Sequence, residues 1–307
     1  VNCFANPHQF REFALGQLLD YADPVKSLEL EINNGNPFLE KDLTFSLTEH
    51  KNYDLCGNFI FETKYDSFHS QIDIIQNDKK RNLEYITNIK PETVLDILRC
   101  KAEFKSYQIE RAKIFFNKSL EQVTITESVE NDYSCMTVNN GFLSIKSSAE
   151  FAPTIFSLTY KGKEWLDTNY PHKGAKAWWN PWFGGLFFMS DQMEFGDLLK
   201  EKTLLKAVEK KDNHGNLWQG LEISMEINNF TSLKGLSIKQ YYLMLPHVPV
   251  LLHFIRLEQN TGKSGNFNFN RWFCLKTEKE NSESGFIVRN RSGVLTKLKT
   301  GAEYYNY

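Results

Sequence analysis

Residues 28–32 alternate Leu28, Leu30 and Ile32 with Glu29 and Glu31, the period-two signature of a strand with one buried face. Asn33-Asn34-Gly35-Asn36-Pro37 then supplies turn chemistry, and alternation resumes with Leu43, Phe45 and Leu47. Phe59 and Phe61 follow the Gly57-Asn58 break. Short strands at roughly ten-residue spacing predict a small β-sandwich-like module over residues 24–130. Ahead of it, Gln9 to Tyr21 carries Phe10, Phe13, Leu15, Leu18 and Leu19 on one helical face and stops at Ala22-Asp23-Pro24. Residues 1–23 therefore read as a helical tail or linker. After Pro91-Glu92-Thr93, the positions of Leu95, Leu98 and Ala102 suit a helix, and a strand fits nearly as well.

Val123 to Met136 reads as a connecting strand and linker, and beyond it the chain is strongly β. Leu221, Ile223, Met225 and Ile227 alternate strictly with polar residues, as do Phe267, Phe269 and Arg271 with asparagines. Asn139-Asn140-Gly141 and Asp212-Asn213-His214-Gly215-Asn216 supply hairpin turns. No internal repeat of fixed period is visible. The pattern predicts a mainly β protein whose residues 131–307 form a large antiparallel sandwich.

Composition narrows the partners. The 307 residues are 41% hydrophobic and 24% charged, enough for a proper core and two domains. Lys plus Arg number 36 against 38 Asp plus Glu, a net charge of −2 that gives no whole-chain attraction to nucleic acid or an anionic membrane. No apolar run approaches the roughly 18 residues of a membrane span. Five dispersed cysteines without a CxxC pair read as reduced thiols in a cytoplasmic protein and against a zinc knuckle. The first residues carry no basic-then-apolar leader, and the start at Val1 suggests a piece of a longer parent. GxSxG, P-loop, GxGxxG and HExxH motifs are absent, and no cofactor or metal is expected.

The most informative segment is Trp178-Trp179-Asn180-Pro181-Trp182-Phe183-Gly184-Gly185. Asn, Pro and paired glycines are turn residues, yet here they sit among three tryptophans and lead into Leu186-Phe187-Phe188-Met189. A turn of large aromatics is costly to expose unless something covers it or stacks on it. Flat rings beside a glycine-lined backbone suit the apolar faces of sugars.

Phe142-Leu143-Ser144-Ile145, the run Ile155 to Leu166 through Lys161-Gly162-Lys163-Glu164-Trp165, and Phe254 to Gly262 ending in Asn260-Thr261-Gly262 resemble strands and turns of galactose-mutarotase-like domains. The resemblance spans about residues 138 to 307. It implies the antiparallel β-supersandwich shared by aldose 1-epimerases and by accessory domains of carbohydrate-active enzymes. A full supersandwich needs more residues than follow, which implies a truncated C-terminus. Active epimerases of that family carry Asn-x-x-His-Gly-Gly. Here Asn180 to Gly185 puts Phe183 where the histidine would be, and the family's second histidine stretch has no match. Ring opening needs a proton donor and a base, and phenylalanine is neither.

Other residues could supply chemistry. His172 in Tyr170-Pro171-His172-Lys173-Gly174 could take the acid role, paired with Glu194 or Glu258. Asp191 and Glu194 could form a carboxylate pair. His247 and His253, six apart on one straight strand, would share a face about 20 Å apart and could not bind one metal. Trp165 reads as core. The favoured expectation is a carbohydrate-recognition domain within a larger carbohydrate-acting protein. Trp178, Trp179 and Trp182 would stack on the sugar, and Asn180 and Arg271 would bind its hydroxyls. The rivals are an active epimerase or lyase using His172, Glu194 and Glu258, and a structural module that docks on other domains of the parent.

Overall fold

The computed structural model describes residues 28–40, 42–49, 55–64, 67–74, 82–87, 94–103, 108–119, 121–174, 183–260, 262, 268–276, 285–289 and 295–299. Residues 1–23, read above as a helical tail, lie outside them. Contacts divide the chain into two compact units, Val1–Leu120 and Glu121–Tyr307. The described residues are mainly β, in antiparallel sheets of which none is closed.

The first unit holds β1 (Leu28–Ile32), β2 (Phe38–Leu39), β3 (Leu43–Glu49), β4 (Leu55–Glu62), β5 (Ser67–Ile74), β6 (Asn82–Thr87), β7 (Leu95–Glu103) and β8 (Gln108–Asn117). They form two sheets, β1-β3-β6 and β2-β8-β7-β4-β5, antiparallel except for the short parallel β2–β8 pair. One core joins Leu30, Ile32, Phe45 and Leu47 of the first sheet to Phe59, Phe61, Leu98 and Phe115 of the second. Alternating side chains make this possible, because each strand buries every second residue. Residues 95–102, open between helix and strand by spacing, are strand: Leu98, Cys100 and Ala102 are buried, and Leu95 and Arg99 face water. Burial pushes the Cys100 thiol up to about 12, so it stays protonated and inert.

The second unit begins with β9 (Thr124–Glu130), which pairs along its length with β10 (Tyr133–Asn139). By its pattern the first module ends at residue 130, but this pairing ties β9 to the second unit's sheet. There follow β11 (Leu143–Ser147), β12 (Ile155–Tyr160), β13 (Lys163–Glu164) and β14 (Leu186–Ser190). One helical turn, α1 (Phe195–Leu198), precedes β15 (Thr203–Lys211), β16 (Leu217–Glu226), β17 (Leu236–Met244), β18 (Leu251–Gln259) and β19 (Phe269–Phe273). A hairpin, β20 (Gly285–Arg289) with β21 (Leu295–Lys299), completes the described strands.

Two sheets matter here. One runs β19-β14-β12-β11-β10-β9, with β13 folded back on β12; the other runs β15-β16-β17-β18. Val138, Ile145, Ile155 and Leu186 of the first share a core with Leu221, Ile223, Tyr242 and Met244 of the second. The sheets thus pack face to face as a sandwich. The hairpin turns fall where their residues predict: Asp212 closes β15–β16 by accepting from the backbone of His214 and Asn216 and from the Trp218 indole. These bonds outweigh burial and hold the Asp212 carboxyl below its ordinary pKa.

Polar side chains clamp the core as well. The Asn140 amide donates to Leu245 O and Val248 O, 2.8 Å each, while its oxygen accepts from Phe142 and Leu143 N–H. The Tyr242 hydroxyl reaches across the sandwich to Leu186 O at 2.9 Å and lies 2.8 Å from Gln240 Oε1. Gly220 admits this arrangement, since a Cβ there would run into the Tyr242 carbonyl.

Candidate functional site

The chain leaves the sandwich after β12 in a way that builds a site. Lys161 and Gly162 turn it back at positive φ, and β13 returns against β12. The Glu164 carboxylate anchors this return by accepting from Ser157 Oγ at 2.6 Å and from the N–H groups of Leu158, Trp165 and Leu166. With Glu164 so placed, Leu166 turns into the core, and Trp165, expected to be core, is instead 44% exposed.

Residues 166–169 then run between two neighbours. Leu166 bridges Leu275, and Asp167 N–H donates to Cys274 O at 2.7 Å. On the other side Gly185 N–H donates to Asp167 O, Thr168 bridges Gly184, and Asn169 N–H donates to Phe183 O. Gly185 sits at φ 88° with Thr154 Oγ1 and Ile155 O against it, a place no Cβ would fit. Residues 166–169 and 183–185, which flank the segment 170–182, are therefore stapled together.

Tyr170 starts this loop as an anchor. Its ring stacks on Phe156 at 4.0 Å, and its hydroxyl donates to Glu130 O at 2.9 Å. Burial pushes the Tyr170 phenol up to about 12, so it remains a donor. His172 follows, exposed, its N–H bonded to Asn169 O. At the other end Phe183 is fully buried, 4.7 Å from Phe187 in a cluster with Phe195. Trp272 stacks on Phe187 at 6.0 Å and stays 40% exposed.

Beside the neck lies a cavity of about 300 Å³ lined by Glu130, Lys146, Ser157, Glu164, Asp167, Thr168, Tyr170 and Lys276 among others. Lys146 Nζ donates to both Glu130 oxygens at 2.7 and 2.9 Å, which holds that carboxyl below its ordinary pKa. Three carboxylates against two ammonium groups leave the lining close to neutral, rich in both donors and acceptors. Such a surface suits an uncharged polyol better than an anion.

The expected site residues are spread over the fold. Trp178, Trp179, Asn180 and Trp182 lie outside the described residues, between the two flanks just located. Glu194 is exposed at the N-terminus of α1, where its N–H bonds Asp197 Oδ2 at 3.1 Å. Glu258 stands on β18 in the other sheet, paired with Lys239 at 3.1 Å and Arg256 at 2.9 Å. The Lys239 bond and both cations hold it below the ordinary carboxyl pKa, which makes it a poor proton donor near neutrality. Arg271 is on edge strand β19 in register with Phe188 and does not line the cavity. His247 and His253 are not on one strand: His247 occupies the turn before β18 at φ 59°. Among the described residues no cluster of His, Cys, Asp or Glu could hold a metal, and no helix is long and apolar enough to cross a membrane.

Asp167, Thr168, Lys146 and Lys276 escaped the sequence reading because no motif marks them. No protein-family model, curated protein or solved structure matches this chain.

Proposed function

We propose that the second unit is a carbohydrate-recognition domain, mutarotase-like in architecture, within a larger cytoplasmic carbohydrate-acting protein. The observation that carries this reading is the stapled neck of the 170–182 loop beside a near-neutral polar cavity. In this reading the neck presents Trp178, Trp179 and Trp182 from a fixed base, and their faces stack on the apolar side of a sugar ring. Asn180 and the cavity's Asp167, Thr168 and Lys276 bind hydroxyls. Buried Phe183, an unreactive hydrocarbon ring, supports recognition without the standard epimerase chemistry. The scattered positions of His172, Glu194 and Glu258 support the same preference.

The test is tryptophan fluorescence titrated with neutral monosaccharides and short oligosaccharides, alongside polarimetric mutarotation of any ligand found. Saturable quenching, weakened roughly tenfold or more by Asp167→Ala and without faster mutarotation, is the expected result. Accelerated mutarotation abolished by His172→Ala would replace this reading with catalysis. Silence toward every sugar, with self-association abolished by Trp182→Ala, would make the loop an interface.

A further inference from the structure

A second site lies elsewhere in the same unit, where β18 and β19, each an edge strand of its own sheet, bring His253 and Arg271 near each other. His253 pairs in register with Tyr242, and the two rings stack at 4.3 Å and 9°. Both His253 ring nitrogens are shut off from water, and neither has a hydrogen-bond partner. A neutral imidazole carries one N–H and one lone pair, so such burial wastes a donor and an acceptor at once. Orphaned polar atoms of this kind mark a missing water, ion or ligand.

The neighbouring cation points to which. Arg271 lies close enough to His253 and Tyr242 to act on both electrostatically, and burial together with Arg271 keeps the imidazole uncharged, with a pKa of about 4. Arg271 is exposed on an edge strand and has no carboxylate partner among the described residues. A planar fork of N–H donors matches two carboxylate oxygens, and the imidazole N–H adds a third donor. One cation beside a neutral ring balances a single negative charge. A dianion would carry an uncompensated charge into the sandwich.

We propose that the β18–β19 edge binds a small monoanionic carboxylate, held by the Arg271 guanidinium and the His253 N–H. This site is separate from the polar cavity at the loop neck and does not depend on the carbohydrate reading. A sugar acid or a short-chain organic acid would present the required group, and acetate is the minimal probe.

The test uses the whole chain with ¹⁵N-labelled histidine, titrated with acetate, glucuronate, glucose and inorganic phosphate while imidazole nitrogen resonances are followed. The His253 signals, assigned by their loss in His253→Phe, should shift saturably with acetate and glucuronate and stay fixed with glucose. Arg271→Gln, a change at an exposed position, should weaken acetate binding by roughly tenfold or more while circular dichroism stays unchanged. Should His253→Phe fail to fold, the buried signal is recognised as the imidazole that stays neutral below pH 6, so Arg271→Gln remains decisive. Absence of a saturable shift, or a shift that survives Arg271→Gln, overturns the site. Tighter binding of phosphate than of acetate overturns its assignment to a monoanion.

Discussion

The two units solve the same problem differently. In the first, two sheets close mainly on hydrocarbon: Phe45, Phe59 and Phe61 meet with ring centroids 4.8 to 6.3 Å apart, and the buried Asp96 carboxylate accepts from the N–H groups of Lys64 and Ile97. In the second, Asn140, Gln240 and Tyr242 are buried as well, and each spends its polar atoms on backbone or on another of the three. A hydrocarbon core tolerates local adjustment because apolar contact has no direction. Hydrogen bonds do have direction, and a satisfied buried network fixes relative positions at higher stakes. The unit with these polar clamps is the one in which residues 166–169 are stapled to residues 183–185.

The largest effect that would test this contrast is Phe61→Ala. Removing a fully enclosed ring should cost about 3–5 kcal/mol, read from urea denaturation with loss of hydrogen-exchange protection in β3 and β4. Asn140→Ala should come next at about 2–4 kcal/mol, because it removes four hydrogen bonds that tie the β10–β11 turn to the segment between β17 and β18 and takes the side-chain acceptor from the Phe142 and Leu143 N–H groups. A cost under about 1 kcal/mol would break the comparison, since the polar clamp would then be ornamental.

A pH experiment sharpens it further. Burial first, and Arg271 second, hold His253 at about 4 in the folded chain against 6.5 as the ordinary value. The unfolded chain therefore takes up this proton first as pH falls. Stability from this group is fully present above pH 6.5 and is lost between 6.5 and about 4, by ~2 kcal/mol after discounting for the ring's partial exposure. Urea midpoints measured from pH 7 to 4.5 should fall accordingly, and His253→Phe should flatten that window. The smallest effect is Tyr242→Phe, which keeps the ring and its stack but removes the bond to Leu186 O. About 1 kcal/mol is expected in the same denaturation assay.

Much of the strand framework was legible beforehand. The alternation from Leu221 to Ile227 corresponds to buried positions one by one, and the turns at Asn139-Asn140-Gly141 and Asp212 to Asn216 close the expected hairpins. Less was legible of the site. Trp165 read as core because tryptophan is large and apolar, and nothing local revealed that Glu164 would take up three backbone N–H groups and direct Leu166 inward instead. The edge site was hidden for a similar reason: His253 and Arg271 are 18 positions apart in the chain and lie on different sheets.

Period and turn chemistry are properties of neighbouring residues, so the sequence by itself determined part of the strand framework, the buried faces of those strands, and the hairpin turns at Asn139-Asn140-Gly141 and Asp212 to Asn216. Which strands stack, which side chains line the cavity at the loop neck, and which buried imidazole is left without a partner are contacts between residues far apart in the chain. Their free energies depend on exclusion of water by elements distant in sequence, and only the tertiary structure decides them.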